Sequence, residues 1–139
     1  MKIILMFLFF LQFSDIAMAG DDDYFKNETL ESCYSKPVTA AVPNCMIYLA
    51  DQKKTEYENK FSSLLKKAEL SKNDFHNYHE FVKHLKASKK YWDSFMGEEC
   101  LAEASLDEND SFAFHTDKNA CMVRAYSERI NYYTNYQFE

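Results

Sequence analysis

ASKKYWDSFMGEEC, residues 87–100, decides how this chain folds. It holds the only tryptophan, Trp92, and ends on Cys100. Wound as a helix, it turns Ser88, Trp92, Phe95 and Met96 to one side, in line with Leu85 just upstream. Lys86, Lys89, Lys90 and Asp93 fall on the other side. A large aromatic on the inner face and a covalent anchor at the end make a packing centre for a small domain. The flanking sequence then has to supply one helix before it, one after it, and partners for the cysteine.

Upstream, a first helix opens near Pro43, with Thr39 or Asn44 as its cap, and runs to about Glu69. Its inner stripe is Met46, Leu49, Tyr57, Phe61, Leu64 and Ala68, with Ala50 and Leu65 alongside and Lys53 as a break. The second helix extends from about Asn73 to Gly97, where a C-cap is expected. Its stripe is Phe75, Tyr78, Val82, Leu85, Trp92 and Met96, with Lys89 as a break. A polar connection over 101–120 follows. The third helix spans about Lys118 to Tyr136, capped by Thr116 or Asp117, with Met122, Tyr126, Ile130 and Tyr133 at helical spacing. Only two glycines and two prolines occur, too few for the turns of an all-β domain. The predicted class is all-α: three long helices in an up-down bundle, with Tyr57, Phe61, Leu85, Trp92 and Tyr126 in its core.

The N-terminus reads as an export signal over 1–19. Lys2 precedes an apolar run, and Ala17-Met18-Ala19 precedes Gly20 as a small-x-small processing site. The run is shorter than the roughly 20 apolar residues that span a bilayer, so no membrane insertion is expected after cleavage. Residues 20–32, opening on three aspartates, read as an acidic flexible tail, and 33–139 as one helical domain. Cys33, Cys45, Cys100 and Cys121 are an even set in an exported chain, which predicts two disulfides. No C-x-x-C pair favours zinc instead. In an up-down bundle Cys45, Cys100 and Cys121 share one end, and Cys33 reaches it. Both disulfides therefore close that end, in any of three connectivities.

Residue chemistry offers little for catalysis. His76, Glu80 and His84 share a helical face near His79, yet the outer two lie about 12 Å apart along the axis, too far for one ion. No metal or cofactor is expected. No paired carboxylates in an apolar setting and no nucleophile with its base stand out, so no enzyme is predicted. Twenty-two acidic against sixteen basic residues leave a net charge of −6, which disfavours nucleic acid and favours a basic protein partner. The acidic connection is the candidate contact surface: Asp107, Glu108 and Asp110, then Phe112 and His115, with carboxylates to steer and an aromatic to anchor. Its alternative reading is a solvated connection whose Phe112 and Phe114 cover the bundle end. Tyr132 and Tyr136 are either a self-contact or the ragged end of a core.

Ser88-Lys89-Lys90-Tyr91-Trp92-Asp93-Ser94-Phe95, followed by Cys100, resembles a family helix of the form Q-x-x-W-x-x-(F/Y)-x-x-x-x-C, with Lys89 standing where the glutamine would be. Cys121 followed by Arg129 resembles the same family's last helix. Cys33…Cys45 with Thr39 between, then Tyr57, Glu58 and Phe61, is similar to its opening helix. The family is that of the lysozyme-inhibitor LprI N-terminal-like domains, secreted bacterial proteins, and the likeness covers about 33–133. It implies an all-helical periplasmic or secreted domain with two disulfides, a structural role for Arg129 near the disulfide end, and inhibition of lysozyme by direct binding. Animal-type lysozymes are basic and cleave with two carboxylates in a cleft, which an inhibitor need only plug. The alternatives are an immunity protein against a periplasm-targeted amidase or lipase, and a cell-envelope adaptor with no enzyme target.

Overall fold

The computed structural model describes residues 24–138. The expected signal at 1–19 and residues 20–23 lie outside that range. The described residues are helical and turn, without a strand: α1 (Leu30–Tyr34), α2 (Ala41–Leu70), a 3₁₀ turn (Lys72–Asp74), α3 (Tyr78–Ala104) and α4 (Phe112–Thr134). Three of the helices are long, as the periodicity predicts.

The expected tail is packed from residue 24 onward. Phe25 is buried against Cys33, Cys45 and Met46. Thr29 caps α1 through a reciprocal pair of hydrogen bonds with Ser32, which satisfies backbone donors at the helix start. Glu28 pairs with Lys36 across the helix. One buried ring and one capping box are enough to order a segment whose composition looked mobile.

Neither Thr39 nor Asn44 caps α2. Its first N–H groups bond instead to the preceding turn, Ala41 N to Val38 O at 2.8 Å and Val42 N to Thr39 O at 3.3 Å. Pro43 needs no acceptor, and it sits in the first turn as expected. The predicted stripe holds: Met46, Leu49, Ala50, Tyr57, Phe61, Leu64 and Ala68 are all buried.

The core has two parts. Around Tyr57 gather Phe61, Leu64, Leu85, Met96, Tyr126, Ile130 and Tyr133. Around the Cys33–Cys45 disulfide gather Phe25, Leu49, Ala120 and Val123, and Met122 packs against both parts. The packing centre is Tyr57, 1% exposed, rather than Trp92, which is half-buried at its flank. Tyr57 lies 5.2 Å from the Tyr126 ring, 5.3 Å from Trp92 and 5.7 Å from Tyr133. Phe95, placed by periodicity on the inner side, is 60% exposed. The inner face of α3 is narrow because Leu85 and Met96 carry most of its contact with the core.

Both ends of α3 and the start of α4 differ from expectation. α3 begins at Tyr78 rather than near Asn73, because Lys72–Asp74 form a separate 3₁₀ turn and Phe75 after it is extended. α3 runs through Gly97 to Ala104, so Gly97 is an interior residue and not a cap. α4 begins at Phe112, where Ser111 accepts a hydrogen bond from Phe114 N, so neither Thr116 nor Asp117 is the cap. Thr116 is buried a turn inside, facing the same way as Ala120 and Val123. The connection expected over 101–120 shrinks to 105–111.

Candidate functional site

Cys100 and Cys121 are bonded, as are Cys33 and Cys45, and no cysteine is free. Two closed disulfides point to an oxidising, extracytoplasmic environment. Among the described residues no helix is long and apolar enough to cross a membrane.

The Cys100–Cys121 bond ties α3, about one turn before its end, to the third turn of α4, below the 105–111 connection. The turn is drawn tight by three backbone bonds: Leu106 N to Glu103 O at 3.3 Å, Asp107 N to Ala104 O at 3.1 Å, and Ser111 N to Glu108 O at 3.1 Å. Asp110 takes a left-handed backbone, φ 60°, which a short polar side chain tolerates, and this reverses the chain into the Ser111 cap. A turn this short has no room to bury its apolar residues. Leu106 stands 89% exposed and Phe112 55% exposed, beside the exposed carboxylates of Glu108 and Asp110.

The predicted contact residues are thus held on one turn and one helix start, though not all face outward. Asp107 is half-buried, and its carboxylate bears on Asp117. Burial, then Asp107 and Glu103, raise the Asp117 carboxyl above its ordinary range, with Arg124 working the other way. His115 is half-buried, with Nε2 3.9 Å from Asp110 Oδ1, a contact that becomes ionic when the imidazole is protonated. Phe112 does not cover the bundle end, being more than half exposed, and Phe114 is half-buried with its ring edge-on to His115 at 5.5 Å.

Leu106 went unnoticed in the sequence. A lone leucine inside an acidic, turn-forming run was the available signal. Also unforeseen is the polar layer beneath the turn. Arg124 pairs with Glu103 across the α3–α4 junction, and the Tyr34 phenol of α1 is raised by burial and by Asp117.

Trp92 and Arg129 lie on a different face, in an open groove between α3 and α4. The Arg129 guanidinium carbon sits 4.6 Å from the Tyr132 ring centre, 5.1 Å from Tyr133 and 5.4 Å from Trp92. Arg129 thus packs on rings along the helices, and among the described residues no carboxylate pairs with it.

Among the described residues no three or more His, Cys, Asp or Glu side chains come together as a metal site would need, and His84 lies 3.5 Å from Glu80 along its own helix. No protein-family model, curated protein or solved structure matches this chain.

Proposed function

We propose that this chain is a periplasmic or secreted bacterial protein that binds and inhibits a lysozyme by protein–protein contact through its disulfide-closed end. The observation that carries the reading is the 105–111 turn. It presents an almost fully exposed leucine and a half-exposed phenylalanine within a ring of carboxylates, on a base fixed by a disulfide. Apolar anchors inside a charged rim are the usual anatomy of a protein interface. A rigid base spares the entropy of ordering the loop on binding. The resemblance to the LprI-like domains supplies the lysozyme, and the acidic surface suits a basic enzyme.

The geometry of the bundle serves that role. The three long helices run up, down and up in this reading. Support comes from Glu58 of α2 meeting Lys89 of α3, Ser88 of α3 meeting Arg129 of α4, and Lys67 of α2 meeting Tyr136 beyond α4. That order gathers the turn and both disulfides at one end.

The test is a lytic assay with the oxidised chain, residues 20–139, at near-stoichiometric ratio to chicken-type and goose-type lysozymes. The expected result is loss of lysis with a one-to-one complex, weakened about tenfold or more by Leu106→Asp or Phe112→Ala. Full lysis with both enzymes would overturn the lysozyme assignment. Tight binding to an amidase or lipase toxin would put an immunity protein in its place, and co-purification with an envelope assembly an adaptor.

A further inference from the structure

We propose that the groove between α3 and α4 binds a free α-amino acid with a large apolar side chain, held as its zwitterion. The groove encloses ≈ 330 Å³, at the small end of ligand pockets. Its floor is apolar: Trp92, Phe95 and Met96 from α3 face Tyr132 from α4. Phe95 is 60% exposed, and Tyr132 is exposed as well, so ring surface is open to an incoming side chain.

Three charges border that floor, and none has an ion-pair partner among the described residues. Arg129 is one of only two arginines in the chain, and the other, Arg124, is paired with Glu103. The Arg129 guanidinium has five N–H donors. Its Nε is buried without an acceptor, and its one hydrogen bond is a long one, Nη2 to Ser88 Oγ at 3.4 Å. The rings of Trp92, Tyr132 and Tyr133 pack around it at 4.6–5.4 Å. A guanidinium is matched to a carboxylate, which takes two parallel N–H bonds from it. The exposed carboxylates of Glu99 and Glu128 also line it and carry no salt bridge or hydrogen bond of their own among the described residues. An anion alone would be repelled by them, and an ammonium alone by Arg129. A ligand carrying one of each, next to an apolar group, satisfies all three charges and the floor together.

Trp92, the only tryptophan, lies in the groove and reports on it directly. The oxidised chain is titrated with L-phenylalanine while Trp92 emission is followed. L-Phenylalaninamide, which lacks the carboxylate, and N-acetyl-L-phenylalanine, which lacks the ammonium, are the paired controls. The expected result is a saturable change with phenylalanine and binding at least about tenfold weaker for each control. Arg129→Gln should abolish the response. Because Arg129 also packs on core rings, Phe95→Ala and Glu99→Gln, at exposed positions, serve as variants that keep the fold. Each should weaken phenylalanine binding with the helical circular dichroism unchanged. No saturable change at ~10 mM phenylalanine would overturn the proposal. Equal binding of either control would do so too, since one of the opposed charges would then have no part.

Discussion

Lys89 interrupts the apolar stripe of α3 and ties that helix to α2. Its ammonium lies 2.8 Å from Asp93 and 2.9 Å from Glu58, and over the ring of Tyr57 at 4.7 Å. Tyr57 in turn donates a hydrogen bond to Asp93 at 2.6 Å. The group is a small closed network in which a buried phenol, a carboxylate and a half-buried ammonium satisfy one another. Burial works against the Lys89 ammonium, but Asp93 and Glu58 outweigh it, and the net shift is upward. Burial, followed by the bond to Asp93, holds the Tyr57 phenol far above its usual range. Both groups therefore keep protons in the folded chain that the unfolded chain releases at high pH. Excess protons on the folded side make stability fall as pH rises. The Lys89 contribution is whole below the ordinary lysine value near 10.5 and is lost as pH climbs through its raised one. Lys89→Met keeps the stem and removes the charge. It should cost about 1–3 kcal/mol in urea unfolding at neutral pH. The gap from the parent chain should narrow above about pH 10.5. A gap that stays constant into strong alkali would mean that the stem, not the charge, stabilises the helix pair.

At the scale of a helix, glycine and its neighbours decide where a segment ends. Gly97 is the only glycine within 24–138, and its place just before Cys100 reads as a stop. It is not one, because nothing near it supplies a turn. Its backbone stays on the ordinary side of φ, and α3 continues until Ser105 bonds back to Leu101. A methyl group added at Gly97 would meet no atom within 4 Å. Gly97→Ala should therefore stabilise the chain by about 0.5–1 kcal/mol by restricting the unfolded chain and favouring the helix. That is a Tm rise of about 2–5 °C by calorimetry. A fall would show that the glycine is needed for a local bend. The same reasoning explains which parts of the fold were legible. α2 and the body of α4 were, because their buried positions are apolar and spaced by three and four. The start of α4 was not, because its inward residue is Thr116, and its cap, Ser111, sits in a polar run that looks like loop. The α1 segment was missed for the opposite reason: five residues are too few to show a period, and only Thr29 and Ser32 marked it.

For the molecule as a whole, charge and apolar anchors divide the work of finding a partner and holding it. The net charge of −6 acts at a distance, whereas Leu106 and Phe112 act only on contact. The contact residues were legible as a cluster in sequence. Their orientation was not, because it depends on a turn that brings Asp107 inward to Asp117 and leaves Leu106 outside. The two contributions separate by salt. The screening length shortens from about 30 Å at 0.01 M to about 8 Å at 0.15 M. Association with a basic lysozyme should slow by about tenfold over that range, while dissociation changes little. Neutralising the two outward carboxylates with Glu108→Gln and Asp110→Asn should flatten the dependence, since charges at the rim of a contact set its on-rate. Leu106→Ala should leave the salt dependence of association in place and speed dissociation, because it removes the anchor and changes no charge. Stopped-flow measurement of both rates distinguishes these cases. If the Glu108 and Asp110 substitutions left the salt dependence untouched, steering would belong to the rest of the acidic surface and the turn would lose its place as the point of first contact.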